Sequence, residues 1–373
     1  MSPATVVLES RTGVLAPVLV PIDHASRVGE ARRAVAALAA ALGLDEVAQG
    51  RAALIATEAA GNLAKHARDG VLLAQAVGPA DAPLLELLAI DRGPGMADPA
   101  RCLRDGFSTA GTPGTGLGAI QRTADLFDLD SHPGRGTVLL AHVRNGGGGR
   151  PAPPSNTLLQ VGAICLPIAG ERACGDAWMV LDDGGRAVVL VVDGLGHGEH
   201  AAVAAGAALD ATRAAGLPRD GVAAYGPAAT LALLHAALRP TRGAAVGLGL
   251  VDGTSGTVRF GGVGNVAAAV MPDVSAPDRT RGLVSQNGIV GHQARTASEV
   301  AERCPPGALL MLASDGVRPQ WRLDALPGLA RRHPSVIAAT LWRDLARGRD
   351  DATVLVTRVV GTAGAPPAAP PFA

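Results

Sequence analysis

The hydrophobic pattern along the chain alternates between two periods. "ASRVGEARRAVAALAAAL" and "DEVAQGRAALIATEAAGNLAKHA" repeat apolar residues every three or four positions, which predicts two amphipathic helices. "GVLAPVLVPI" before them, and "GVLLAQAV" and "PLLELLAIDRG" after them, are short apolar runs that predict strands. A Gly-rich stretch then leads to a short predicted helix, "LGAIQRTADLF", and a strand pair around "HPGRGTVLLAHV". Helices on one side of a mixed sheet make an α+β sandwich.

Further on, "DAWMVLDD" and "RAVVLVVDG" predict a hairpin across an Asp-Asp-Gly-Gly turn. Two Ala-rich helices follow, "HAAVAAGAALDATRAAG" and "GPAATLALLHAAL". Strands are then predicted at "AAVGLGLVD", "TVRFGGVGN", "VAAAVMP", "ALLMLASDG" and "ATVLVTRVV". This half is mostly strands, with helices beside them. Between the halves lies "NGGGGRPAPPSN", whose glycines give flexibility and whose prolines give an extended spacer. The expected division is a domain at 1–145, a linker at 146–156, a domain at 157–360 and a Pro/Ala tail at 361–373.

Composition narrows the function classes. Aromatics are 2% of the 373 residues, so the cores must be built from Ala, Val and Leu. Lys+Arg and Asp+Glu balance at 33 each, and no basic patch interleaved with aromatics occurs, so a nucleic-acid partner is not expected. No apolar run is long enough to span a bilayer, and no signal-peptide pattern opens the chain, so a cytoplasmic protein without membrane association is expected. None of the four cysteines stands at a metal-ligand spacing, which fits free thiols in a reducing compartment.

Lys65 is the only lysine, and it falls inside "EAAGNLAKHA". On a helix, Glu58, Asn62 and Lys65/His66 share one face. Downstream, "DRGPGM" puts Asp91 at a strand end, followed by Gly93 and Gly95. A carboxylate there can accept from an exocyclic amine while the glycines let the backbone approach a flat base. "GTPGTGLG" places Gly114, Gly116 and Gly118 at a helix start, where backbone N–H groups can cradle phosphate. "GRGT", ending in Thr137, completes an ordered set. The set resembles the GHKL ATPases, with their Bergerat α/β sandwich, and most closely the anti-sigma-factor serine kinases of the RsbT type. The resemblance implies ATP as cofactor, Asn62 holding Mg²⁺, Lys65 reaching the phosphates and Asp91 reading adenine with support from Thr137. It implies Glu58 as general base on an attacking hydroxyl.

The second half carries "CGDAW" with Asp176, "VVDGLGHGEH" with Asp193 and Gly194, "LASDGV" with Asp315, and "GRDDATVLV" with Asp350 and Asp351. Carboxylates on apolar strands are costly unless something cancels their charge. Several converging acids suit hard divalent cations. His197 and His200, in "GHGEH" at a helix start, are expected to pack or cap rather than bind zinc. The order of these motifs resembles the PPM metal-dependent protein phosphatases, in their SpoIIE/RsbX branch. That implies a PPM-type β-sandwich flanked by helices. It also implies a pair of Mn²⁺ or Mg²⁺ ions on Asp176, Asp193, Asp315 and Asp350, with the Gly194 carbonyl as a further ligand and Asp193 central to catalysis. Asp351 stands where the family often has Asn, so either member of the Asp350/Asp351 pair can be the ligand. No arginine clearly matches the family's phosphate-binding one; Arg172 is the nearest.

Together the resemblances imply a kinase and a phosphatase on one chain, acting on STAS-domain antagonist proteins in a sigma-factor or stress pathway. The alternative is a first domain that binds ATP and sequesters a partner without transferring phosphate.

Overall fold

The computed structural model describes residues 5–10, 15–79, 82–103, 116–147, 157–217, 222–293 and 298–361. They divide into two compact units: one spans residues 15–147, and the other spans residues 157–361 together with 5–10. The opening strand β1 (Val6–Glu9) belongs to the second unit.

The first unit begins with β2 (Val18–Pro21), α1 (Arg27–Ala41) and α2 (Glu46–His66). Asp45 starts α2 by accepting the Ala48 amide at 2.7 Å, satisfying one of the free N–H groups of the first turn. The apolar stripe Ala48, Ala52, Ile55, Ala56, Ala59 and Leu63 is buried. It leaves Glu58 and Asn62 on another face. Strands β3 (Val71–Val77) and β4 (Leu84–Ile90) follow, then the single turn α3 (Pro99–Cys102), α4 (Gly116–Thr123), β5 (Leu126–His132) and β6 (Gly136–Val143). The antiparallel sheet runs β2-β3-β4-β6-β5, and one of its faces packs with α1, α2 and Ile120 of α4 in a core of Ala, Leu, Ile and Val. Gln75, Glu86 and His142 sit at one register level on three adjacent strands. Glu86 is buried there and accepts from Gln75 at 2.7 Å, with His142 at 2.8 Å.

The helix expected over "LGAIQRTADLF" stops at Thr123, and its last two residues begin β5. Asp125 turns the chain: its carboxylate takes the Arg51 guanidinium at 3.0 Å and the Arg144 amide at 2.9 Å. A tertiary ion pair thus overrides local helix propensity.

The second unit contains β7 (Leu159–Leu166), β8 (Asp176–Asp182), β9 (Arg186–Gly194), α5 (Glu199–Ala215) and α6 (Val222–Leu238), the last interrupted where Gly226 adopts φ 80° before Pro227. It continues through β10 (Ala244–Asp252), β11 (Thr257–Val263), β12 (Ala267–Met271), β13 (Arg281–Leu283), β14 (Val300–Arg303) and β15 (Leu309–Ala313), and ends with α7 (Pro334–Leu345) and β16 (Ala352–Val359). Two antiparallel sheets, β1-β8-β9-β10-β11-β14 and β13-β12-β15-β16-β7, face each other across a core that includes Trp178, Val191, Phe260, Leu310 and Leu355. Helices α5 and α6 cover the outer face of the first sheet. Helix α7 covers the second, so close to β7 that a side chain at Gly162 would collide with the Ser335 backbone. Neither α7 nor β7 was evident from the hydrophobic pattern.

The expected boundary at residue 1 is corrected by β1. Val6–Glu9 pairs antiparallel with β8, from Val6↔Asp182 to Glu9↔Met179, and Ser10 N–H donates to the Trp178 carbonyl at 3.1 Å. Arg213 of α5 pairs with Glu9 at 2.5 Å. Short and half-buried, the strand carries no motif that announces its distant partner. Among the described residues no helix is long and apolar enough to cross a membrane.

Candidate functional site

In the first unit, α2 supplies one wall. Glu58, Asn62, Lys65 and His66 occupy its last three turns, with Lys65 and His66 exposed. The start of α4 closes on this wall: a Cβ at Gly116 would lie 2.8 Å from Glu58 Oε2 and 3.6 Å from Asn62 Oδ1. Glycine is therefore what lets the helix start approach the two polar side chains. Asn62 Nδ2 is buried without a hydrogen-bond partner, an orphan donor that a bound ligand would satisfy. Gly118 is buried within α4, while Gly114 lies outside the described residues.

Asp91 follows β4 and is buried. Its N–H donates to the Thr137 carbonyl at 2.9 Å, and its Oδ1 accepts the Gly93 amide at 2.6 Å. Gly93 passes so near the end of α2 that a Cβ would lie 2.8 Å from the His66 carbonyl oxygen. Gly95, at φ 66°, has no room for a side chain against His132. Thr137 supports the loop in two ways: through that carbonyl, and through Oγ1, which lies 2.9 Å from Ser131 Oγ. Ser131 in turn accepts the Met96 amide at 2.8 Å. The buried orphan N–H donor and the side-chain-free helix start suit the phosphate oxygens of a nucleotide, and the oxygen of the same Asn62 amide is the atom that could hold a divalent cation.

In the second unit, the acids gather at one end of the sandwich. Asp176 and Asp193 are directly opposite on β8 and β9, on the face that looks toward the other sheet. Asp315 follows β15, and Asp350 and Asp351 precede β16, both strands of that other sheet. Burial, the neighbouring Asp193 and then Cys165 push the Asp176 carboxyl well above the usual range. Burial and the Asp315 charge raise Asp193 to about 7. Asp315 is raised by burial and by Asp350. Among the described residues no three acids, His or Cys draw in to a common point, although the carboxylates at this end raise one another's pKa as like charges do. This is a corner that positive charge would complete, and its hard oxygen donors suit Mg²⁺ or Mn²⁺.

The two members of the Asp350/Asp351 pair do different work. Asp351 is buried and spends both oxygens on backbone, accepting from Ile168 at 2.7 Å and Gly175 at 2.6 Å. Asp350 is half-buried, and its charge is felt by Asp193, Asp315 and Asp351. Gly194 lies where a Cβ would strike the Ala201 backbone, and its N–H donates to the Gly175 carbonyl at 3.0 Å. His197 sits 3.0 Å from Glu171 in an exposed pair, and His200 lies in the first turn of α5.

The profile of the family described as "Histidine kinase-like ATPase domain" matches residues 21–142. The serine/threonine-protein kinase RsbT of Bacillus subtilis is 36% identical over 100 residues, covering 27% of this chain and 75% of that protein. The chain belongs to this kinase family. The profile described as "Stage II sporulation protein E (SpoIIE)" matches residues 183–360. Solved structures similar to this chain include one from work on the bacterial stressosome, at 28% identity and TM-score 0.48, covering 54% of this chain and 99% of that one. Another is RsbX in complex with magnesium, at 17% identity and TM-score 0.46, covering 56% of this chain and 98% of that one. The chain joins an RsbT-like kinase domain to a SpoIIE-type protein phosphatase domain.

Two residues of the SpoIIE-type domain carry no signal of their role in the sequence. Ser314 Oγ donates to Asp176 Oδ2 at 2.6 Å and accepts the Thr353 amide at 3.0 Å, so it aims the Asp176 carboxylate. Asn265 Nδ2 donates to Asp315 Oδ2. Ser314 was visible beside its aspartate in "LASDGV", but Asn265 in "GGVGNV" had nothing to separate it from a turn residue.

Proposed function

We propose that this chain is a bifunctional partner-switching regulator that both writes and erases phosphate on serine or threonine of STAS-domain antagonist proteins. The observation that carries the reading is that one chain holds two furnished sites of opposite chemistry: the orphaned Asn62 amide beside Gly116, and the acid corner around Asp193.

The groups that bind would supply a transferable γ-phosphoryl from ATP in the first site, and a water acidified by divalent cations in the second. In the RsbT-like domain, Asn62 holds the Mg²⁺ that accompanies ATP and Lys65 meets the phosphates. Asp91 orients the adenine amine, and Glu58 takes the proton from the attacking hydroxyl. In the SpoIIE-type domain, Asp193, the Gly194 carbonyl, Asp315 and Asp350 hold Mn²⁺ or Mg²⁺. Asp176, aimed by Ser314, completes the corner, and Asp351 holds the loop through Ile168 and Gly175.

The test is a phosphate-sensitive gel. The chain, ATP, Mg²⁺ and Mn²⁺ are mixed with a STAS-domain protein encoded beside it, using wild type, Asn62→Ala and Asp193→Ala. Asp193→Ala should accumulate phosphoprotein, and Asn62→Ala should make none. If no variant phosphorylates the target while wild type strips a pre-phosphorylated sample, the first domain is a binding switch. Turnover unaffected by either substitution would overturn both assignments.

A further inference from the structure

Cys165 and Cys174 take no part in the chemistry above, yet their sulfurs stand 3.7 Å apart. Cys165 is buried on β7; Cys174 is half-buried in the loop that leads into β8. Because β7 and β8 lie in opposite sheets, the pair bridges the sandwich at the end where the acids gather. The Cys165 Sγ also lies 3.5 Å from the carbonyl oxygen of Asp176. A disulfide needs the sulfurs at about 2.05 Å, so they must close by roughly 1.6 Å.

We propose that Cys165 and Cys174 form a dithiol that hydrogen peroxide oxidises to a disulfide, and that this bond loosens the adjoining metal corner. The second clause rests on the phosphatase reading above.

The oxidation proceeds in two steps. The two sulfurs lie within hydrogen-bond reach of each other, so the sulfur oxidised first has the second beside it as its resolving partner. As thiolate, Cys165 Sγ attacks one peroxide oxygen; the O–O bond breaks, and the departing hydroxide takes up a proton to become water. Cys174 Sγ then attacks the sulfenic sulfur of Cys165; the S–O bond breaks, and the second hydroxide leaves as water with the Cys174 proton. Two thiols have lost two electrons, and one peroxide has become two waters.

The consequence follows from what flanks Cys174. Cys165 is fixed in β7 opposite Thr353, so the closing movement falls on the Cys174 loop. The next residue, Gly175, donates to Asp351 at 2.6 Å and accepts from Gly194 at 3.0 Å. Little slack exists there, since a Cβ on Gly175 would sit 2.6 Å from Ala201 Cβ. Drawing Cys174 toward β7 strains both bonds. Disturbing partners that orient metal ligands weakens metal binding by roughly 10- to 100-fold.

The experiment uses the full chain carrying Cys102→Ser, which removes the other half-exposed thiol, with and without Cys174→Ser. After peroxide treatment, tryptic peptides are weighed; Arg172 separates the two cysteines, so a disulfide appears as linked peptides that dithiothreitol releases. Mn²⁺ affinity is measured by calorimetry on the same samples. Linked peptides, with Mn²⁺ binding about tenfold weaker and restored by dithiothreitol, are expected. The Cys174→Ser chain should show neither change. Unlinked peptides, or linked peptides with unchanged Mn²⁺ affinity, overturn the proposal. A reduced chain that binds no Mn²⁺ at all overturns the metal reading and the loosening with it, whatever the peptides show.

Discussion

At the scale of single residues, Asp350 and Asp351 show how neighbours in sequence divide their work. Each is an aspartate at the start of the same strand, and nothing in "GRDDATVLV" separates them. Asp351 accepts two backbone amides, so replacing it with Asn turns an acceptor oxygen into a donor facing N–H. Asp351→Asn is expected to lower the stability of the metal-free phosphatase domain by about 1–3 kcal/mol in urea unfolding. Asp350→Asn removes a like charge that Asp193, Asp315 and Asp351 feel, so it should not lower that stability, and it should abolish Mn²⁺ binding in calorimetry. The reverse pattern would reassign the ligand.

Among elements, β1 has the largest consequence. The RsbT-like domain is inserted between β1 and the rest of the sheet β1 completes. Without β1, the edge of β8 would present unpaired N–H and C=O groups, and Arg213 would lose Glu9. A chain lacking residues 1–10 is expected to unfold its phosphatase domain at a midpoint several degrees lower, since roughly 1 kcal/mol moves a domain of this size by about 2–4 °C. An unchanged midpoint in scanning calorimetry would show that β1 adds nothing. Register has a similar weight at the site. Asp176 and Asp193 stand 17 positions apart in sequence, yet strand pairing sets them face to face. A slip of one residue would turn one of them out of the corner.

For the molecule as a whole, the acid corner couples folding to pH and metal. Burial and neighbouring acids raise Asp193 to about 7, far above an unfolded aspartate near 3.9. The folded metal-free state therefore holds a proton that the unfolded chain releases. The stability from that proton is fully present below the unfolded value and is lost as pH rises through about 7. The metal-free phosphatase transition should thus fall in temperature from pH 6 to pH 8. Added Mn²⁺ should raise it more at pH 8 than at pH 6, because the cation displaces the proton. Calorimetry at the two pH values decides this, and equal Mn²⁺ gains at both would remove the Asp193 proton from the account.

By itself, the sequence determined the helices and strands with strong periodicity and both motif sets, because these are local patterns of side-chain type. It also placed Glu58 and Asn62 on one helical face, since 3.6-residue periodicity needs no partner. Only the tertiary structure decided the rest. It showed that Gly116 closes on Glu58, that Asp125 ends a helix by pairing with Arg51, and that β1 joins a sheet formed after residue 157. It also assigned Asp351 to the backbone of a distant loop and brought two cysteines together across the sandwich. Each of these depends on long-range contact geometry, and contacts between distant positions leave no period in the chain to read.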